Sequence, residues 1–113
     1  MKFDERQEQQ ATVIKPLEKR LDSNVSEELK THMNAIVQNG HLKVVLDLSD
    51  VEFVDSSALG AIIATMAALQ PHGRLMVCGV KNNVLALFRL TRIDRVIPVM
   101  ENIDEAIRAM SCD

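Results

Sequence analysis

Two short, valine-rich apolar runs, residues 42–48 and 74–80, constrain the fold of this 113-residue chain more than any other feature. Each run is too short for a typical helix and has apolar side chains at consecutive positions, as in a strand buried on both faces. Each is soon followed by a segment whose apolar side chains recur at helical spacing. Strand, helix, strand and helix with short connections predict a parallel sheet with right-handed crossovers. The sequence therefore predicts an α/β fold, with a small, mainly parallel four- to five-stranded sheet and about four helices.

Periodicity and turn residues predict the remaining elements. Two strands at about residues 1–7 and 11–17 should form a hairpin, and Pro16, which lacks an N–H, belongs at a strand end or on an unpaired edge. A short extended segment is expected at residues 96–99. Because no repeat or linker interrupts the chain, residues 1–113 are predicted to form one domain. The expected apolar faces of the four helices consist of Val25, Leu29, Met33, Ile36 and Val37; of Leu59, Ile62, Ile63, Met66 and Leu69; of Val84, Leu87 and Phe88; and of Ile103, Ile107 and Met110.

The composition excludes a nucleic-acid partner. The chain has 13 basic and 16 acidic residues, a net charge of −3, and only three aromatic residues, all Phe. Proteins that bind nucleic acids usually present a basic patch, often with aromatic side chains for base stacking. At 47% apolar residues, the chain can instead bury a core that needs neither a disulfide nor a metal.

The two cysteines and the hydropathy pattern indicate a cytoplasmic protein without a cofactor. Cys78 and Cys112 match neither a metal-ligand spacing nor a redox motif. Cys78 is expected to be a buried thiol within a strand, and Cys112 to lie in a frayed tail. No apolar stretch reaches the roughly 18 residues of a membrane span, and the polar N-terminus does not resemble a signal peptide. We therefore expect no direct membrane insertion.

Residues 55–58, Asp-Ser-Ser-Ala, introduce polar side chains at the start of the second helix. Asp22, residues 47–55 and Ser56 all follow predicted strands, and ligands of parallel sheets tend to bind beyond the carboxyl ends of the strands. The simplest interpretation is structural: the side chain of Asp55 or Ser56 caps the helix by accepting a hydrogen bond from one of its first N–H groups. A second interpretation makes a serine the phosphate acceptor for a separate kinase, because a helix N-terminus tolerates a phosphate dianion.

A third interpretation, catalysis by a serine nucleophile, is disfavoured. Such a serine needs a base within hydrogen-bond reach. His32 falls in the first helix, and His41 and His72 each precede a strand, which places them at the opposite end of the sheet from Ser56. Because nucleophile-elbow, phosphate-loop and metal-binding motifs are also absent, we predict that the chain is not an enzyme.

The segment VVLDLSDVEFVDSSALGAII resembles the signature of STAS domains, specifically of bacterial anti-sigma factor antagonists: a strand, Asp-Leu, a spacer, an aromatic residue and Asp-Ser-Ser before a helix. RLDSNVSEELKTHM resembles the family's Leu-Asp turn and first helix, and the chain from residue 74 onward resembles its closing elements. The resemblance implies phosphorylation of Ser56 by a partner that is both serine kinase and anti-sigma factor, and reversal by a serine phosphatase. The unphosphorylated form would bind this partner and thereby release its client.

The resemblance also implies a partner-binding surface and leaves an alternative function open. Asp22 and Asp55 would shape that surface and orient the acceptor hydroxyl, and Ser57 would cap the helix. The alternative is a constitutive, non-phosphorylated STAS subunit of a membrane lipid-transport or other multiprotein assembly. We expect a monomer, which suits a switch that presents one face. The complete predicted surface consists of Asp22, Asp55, Ser56, Ser57, Leu59 and Gly60.

Three positions depart from the family pattern. Ala58 replaces a frequent Gly and must therefore adopt a backbone conformation that alanine accepts, most easily a helical one. Lys19 and Arg20 stand where a Gly usually precedes the Leu-Asp turn, and Pro16 interrupts a strand that is regular in the family. The last two departures bear on the geometry of the N-terminal hairpin and leave Ser56 untouched.

Overall fold

A computed structural model describes residues 1–111 and confirms the predicted α/β fold. Its four helices and five-stranded main sheet match the sequence-based expectation. The elements follow one another as β1 (Phe3–Glu8), β2 (Ala11–Pro16), β3 (Arg20–Leu21), α1 (Ser26–Gln38), β4 (Lys43–Asp47), β5 (Phe53–Val54), α2 (Ser56–Leu69), β6 (Arg74–Cys78), α3 (Asn82–Leu90), a 3₁₀ turn (Ile93–Arg95), β7 (Val99–Met100) and α4 (Ile103–Ser111).

The main sheet has the strand order β1-β2-β4-β6-β7 and is parallel except for the hairpin of β1 and β2. Val13, Val45 and Met76 lie side by side on the three central strands. Pro16 is the last residue of β2, so its missing N–H does not break the hydrogen-bond ladder within the strand. The predicted hairpin and the predicted position of this proline are both confirmed.

The two faces of the sheet bury different helices. Ile14, Leu46 and Val77 face α1, α2 and α3 in the larger core cluster. Val45 and Met76 point to the other face, where they pack against α4. This alternation follows from the two-residue repeat of a strand, and burying each such side chain stabilises the fold by roughly 1.5–3 kcal/mol.

A second, two-stranded sheet lies at the carboxyl edge of the domain and was not predicted from the sequence. β3 and β5 run parallel, with Leu21 opposite Val54. The carbonyl oxygen of Lys19 accepts hydrogen bonds from the N–H groups of Glu52 and Phe53, at 2.7 and 3.2 Å. Strands of two residues carry no detectable periodicity, so only their pairing reveals them. Their effect is to join the chain before α1 to the chain before α2.

Two details of the helices and the C-terminal region differ from the sequence-based expectation. Ile63 is 38% exposed, because small residues such as Ala58 and Ala61 occupy the buried face of α2 instead. Val96 is 57% exposed and lies outside any strand, since the 3₁₀ turn precedes it and pairing with β6 begins only at Val99. α2 begins at Ser56, and the helical backbone predicted for Ala58 is confirmed.

The structure also tests the predictions made for the cysteines and for membrane insertion. Cys78 is fully buried in β6, as expected, and burial together with the nearby charge of Asp47 raises the pKa of its thiol to about 12. Cys112 lies outside the described residues. Across residues 1–111, no helix has both the length and the apolar character that a membrane span requires.

Candidate functional site

Asp55 connects the two loops at the carboxyl edge of the sheet. Its backbone is extended, and its N–H donates to the carbonyl of Leu21 at 3.0 Å. One carboxylate oxygen, Oδ1, accepts from the N–H of Ala58 at 3.0 Å and so caps α2. The other oxygen, Oδ2, accepts from the N–H of Ser23 at 3.0 Å. A single side chain therefore fixes the start of α2 against the loop that leads into α1.

Asp22 organises that loop from within. Its Oδ1 accepts from the N–H of Asn24 at 3.0 Å, and its carbonyl oxygen accepts from Val25 and Ser26 at 3.0 and 2.9 Å. Its Oδ2 lies 3.5 Å from Nε of Arg20. Asp22 thus reaches the same edge as Asp55, although its hydrogen bonds shape its own turn.

Ser56 and Ser57 occupy the first turn of α2, and both are exposed. Within residues 1–111, the Ser56 hydroxyl makes no hydrogen bond, so it is available to an incoming enzyme. The sequence-based expectation that Ser57 caps α2 is wrong. The N-cap residue is Asp55, and its carboxylate accepts a hydrogen bond from the N–H of Ala58. Ser57 lies inside the helix instead.

Leu59 and Gly60 have opposite environments, although both belong to the predicted partner surface. Leu59 is 6% exposed and packs in the larger core cluster, so it contributes little area to the surface. Gly60 is exposed, and a Cβ at this position would meet no atom within 4 Å. The absent side chain leaves this turn of α2 flat beside the two serines.

Arg20 and Phe53 are surface residues of this edge that the sequence analysis did not select. The Arg20 guanidinium lies 4.1 Å from the centre of the Phe53 ring, and the ring is 37% exposed. This cation–π pair crosses from β3 to β5 and contributes about 0.5–1 kcal/mol at an exposed position. The aromatic position in the family signature could have identified Phe53 as a residue of this surface. Nothing in the sequence indicated that Phe53 pairs with Arg20.

Basic side chains partly neutralise the acidic loop between β4 and β5. Lys15 lies 3.6 Å from the carboxylate of Asp50, and Lys81 lies 3.9 Å from that of Glu52. Such solvent-exposed ion pairs contribute about 0–1 kcal/mol each. The edge around Ser56 is therefore of mixed charge, less negative than the run of acids in the sequence indicated.

Comparison with known proteins identifies the family. The family model for the STAS domain matches residues 5–106. The chain belongs to the STAS domain family. It is 27% identical over 100 residues to the anti-sigma F factor antagonist of Paenibacillus polymyxa, and the match covers 87% of this chain and 86% of that protein.

Solved structures of STAS proteins share the fold. An anti-sigma-factor antagonist domain protein from Planctomyces limnophilus superposes with a TM-score of 0.90 at 28% identity, covering 96% of this chain and 97% of the other. The Bacillus cell fate determinant SpoIIAA in its phosphorylated form superposes with a TM-score of 0.73 at 18% identity, covering 96% and 98%. The second similarity concerns the fold alone.

The remaining polar cluster of this STAS domain lies at the opposite edge of the sheet and does not resemble a catalytic site. Nδ1 of His41 lies 2.8 Å from the hydroxyl of Thr12, which also accepts from the side chain of Gln7 at 2.8 Å. Because Thr12 is only 1% exposed, a substrate cannot reach its hydroxyl. Among residues 1–111, no group of three or more His, Cys, Asp or Glu side chains could hold a metal ion.

Proposed function

We propose that this STAS domain, spanning residues 1–113, is a phosphorylation-controlled switch for protein binding. The unphosphorylated form binds an anti-sigma factor that is also a serine kinase and makes that partner release its client. Phosphorylation of Ser56 blocks this binding, and a serine phosphatase restores it. The chain itself catalyses no reaction and binds no cofactor, since ATP belongs to the kinase. It acts in the cytoplasm as a monomer, without nucleic acid and without insertion into a membrane.

The exposed hydroxyl of Ser56 at the N-terminus of α2 is the observation that carries this proposal. A helix N-terminus combines a partial positive charge with N–H groups that lack helical acceptors, and both favour a phosphate dianion. Asp55 holds this turn in place through Ala58 and Ser23, so the acceptor lies on a rigid surface. The relatives named as anti-sigma factor antagonists support the same interpretation.

Phosphorylation is expected to act on the surface and to leave the fold intact. A phosphate adds roughly −1.5 to −2 charges at neutral pH. Asp55 directly precedes Ser56, and its carboxylate would share the same edge with the new dianion. A partner selected for the unmodified surface would then meet a high density of negative charge where it previously met a neutral hydroxyl.

The first experiment is peptide mass spectrometry on the protein isolated from its own cells, with and without phosphatase treatment. We expect one phosphate, localised to Ser56. The copurifying kinase then serves in binding measurements with Ser56→Ala, Ser56→Asp and the matched control Ser57→Ala. Ser56→Ala should bind constitutively, Ser56→Asp should fail to bind, and Ser57→Ala should still be phosphorylated. Equal binding by Ser56→Ala and Ser56→Asp would contradict the switch and favour a constitutive subunit of a larger assembly.

A further inference from the structure

The two outer edges of the main sheet differ in charge. β1 and β7 are its outermost strands. β1 carries Asp4, Glu5 and Glu8 against Arg6, and charged side chains on an edge strand discourage pairing with another chain. β7, which consists of Val99–Met100, carries no charge. The edge of β7 is therefore the one to which a further strand could be added.

Val99 directs its backbone polar groups away from the sheet. β6 and β7 run parallel with Val77 opposite Val99, and the N–H of Val77 donates to the carbonyl of Pro98 at 3.0 Å. Because the backbone groups of successive strand residues alternate between the two edges, Pro98 and Met100 face β6. Val99 and Glu101 then face the outer edge. Within residues 1–111, the N–H and the carbonyl of Val99 make no hydrogen bond, so both are available to another strand.

A groove runs along this outer edge, between α3 and α4. Its volume is about 540 Å³, which is within the usual range for binding sites. Val99 and Met100 line it from β7, Leu85 lines it from α3, and Glu105 lines it from α4. A strand added beside β7 would therefore lie between two helices, with side-chain contacts on both of its faces.

The side chain of Glu105 already bonds to one of the outward-facing backbone groups. Its Oε1 accepts from the N–H of Glu101 at 3.3 Å, while its own N–H donates to the side chain of Asn102 at 2.9 Å and so caps α4. The Glu105 oxygen thus lies where the carbonyl of an added strand would lie. Because 3.3 Å is longer than the usual N–H···O distance of about 2.9–3.0 Å, a peptide carbonyl can replace this bond at little cost.

The charges of the groove favour a basic segment. Arg89 and Asp94 offset each other on the α3 side, so the excess negative charge lies at Glu101 and Glu105. None of these three carboxylates forms an ion pair with another residue between 1 and 111. Leu85 gives the α3 side an apolar wall. Since the side chains of a strand alternate between its faces, a segment in which apolar and basic residues alternate matches both sides.

We propose that the groove along β7 docks an extended segment of another protein, in which apolar and basic residues alternate. The segment adds a strand to the sheet by pairing with the N–H and the carbonyl of Val99. Its apolar side chains contact Leu85, and its basic side chains reach Glu101 and Glu105. A second copy of this chain fits poorly, because its β1 edge would bring further carboxylates to the groove. Ser56 does not line the groove, so failure of this proposal would leave the proposed switch unaffected.

The test is an NMR titration of the ¹⁵N-labelled full chain with the acetylated and amidated peptide Val-Lys-Val-Lys-Val-Lys. We expect saturable shifts of the Val99 and Glu101 amide signals, and slower hydrogen exchange at the Val99 amide in the complex. Glu105→Gln keeps an oxygen for the Glu101 N–H but removes the charge, and it should weaken binding by about threefold or more. Glu27→Gln makes the same change of net charge at an exposed position of α1 and should retain the affinity.

Two isomeric peptides test the backbone pairing separately from the charge. One carries N-methyl groups on its valines and the other on its lysines, so the side chains and the net charge stay the same. The N–H groups of alternate residues face opposite edges of a strand, so only one isomer keeps the N–H groups that face β7. That isomer should bind like the parent peptide, and the other should bind about tenfold more weakly.

Three results would overturn the site. The first is an absence of saturable shifts at Val99 and Glu101 with the parent peptide at millimolar concentration. The second is equal affinity of the two isomers, or equal weakening by Glu105→Gln and Glu27→Gln, which would reduce the interaction to overall charge. The third is a shift of the Val99 amide signal that depends on protein concentration without any peptide, which would assign the groove to a second copy of the chain.

Discussion

The carboxylate of Asp55 accepts the backbone N–H of Ser23 at 3.0 Å, across 32 positions of sequence. This bond joins the loop before α1 to the N-cap of α2. It therefore places the turn of Asp22 and the exposed hydroxyl of Ser56 on one surface. A helix cap alone requires only the second bond of Asp55, to the N–H of Ala58. The additional bond to Ser23 gives this residue a positioning role within the proposed partner surface.

Replacing Asp55 should loosen both loops together. Asp55→Ala removes the cap and the bond to Ser23, and we expect the free energy of unfolding to fall by about 2 kcal/mol. Denaturant unfolding measures the loss, and hydrogen exchange should accelerate at the amides of both Ser23 and Ala58. Asp55→Asn keeps one acceptor oxygen and should lose about half as much.

The matched control for Asp55 is Asp50→Ala. Asp50 is exposed, and its ion pair with Lys15 spans 3.6 Å, so its removal should change the free energy of unfolding by less than about 1 kcal/mol. Acceleration at Ala58 without acceleration at Ser23 in Asp55→Ala would show that the loop before α1 is held by other contacts.

Replacing glycine with alanine should change the free energy of unfolding in opposite directions at positions 79 and 60. Gly79→Ala places a Cβ against Ser49 and Asp47 at a φ of +67°, and it should lower the free energy of unfolding by about 1–3 kcal/mol. In Gly60→Ala, the added Cβ meets no atom within 4 Å, and alanine favours the helical backbone of α2. This variant should therefore raise the free energy of unfolding by about 0.5–1 kcal/mol. Thermal and denaturant unfolding of both variants measure the difference. Destabilisation by Gly60→Ala would contradict the open environment of this position.

The buried hydroxyl of Thr12 should stabilise the opposite edge of the sheet. Thr12→Val preserves the shape but removes the hydroxyl that Gln7 and His41 share, while these two side chains remain 3.2 Å from each other, so the free energy of unfolding should fall by about 0.5–1.5 kcal/mol. Thr31→Val, an exposed position in α1, makes the same chemical change and should stay within about 0.5 kcal/mol of the original protein. Similar losses in the two variants, measured by urea unfolding, would exclude a special role for the Thr12 hydroxyl.

The thiol of Cys78 should make the protein less stable in alkaline solution. Burial, aided by the charge of Asp47, raises its pKa from 9.0 to about 12. Between these pH values the unfolded chain releases the proton while the folded chain keeps it, so the free energy of unfolding falls as the pH rises. The slope approaches about 1.4 kcal/mol per pH unit for this group alone. Stability curves of the original protein and of Cys78→Ala between pH 8 and 11 isolate this contribution, because the variant should lack it. Parallel curves would contradict it.

Much of the fold could be predicted because its signals are local. The apolar runs of β4 and β6, the helical repeats and the position of Pro16 each depend on residues close together in sequence. The polar junction at Asp55 and Ser56 is also local, since a strand end and a helix start meet there. The errors arose where neighbouring elements decided the outcome, as in the exposure of Ile63 and the late start of β7.

By itself, the sequence determined the order of strands and helices and the serine-bearing turn that begins α2, because periodicity and turn chemistry act over a few residues. Only the tertiary structure decided that Asp55 caps α2 while binding Ser23, and that Leu59 turns into the core while Gly60 faces outward. It also brought the buried Asp47 beside Gly79 and the start of α4. These relationships join positions tens of residues apart, and the parallel sheet creates them by aligning the carboxyl ends of strands that are distant in the chain.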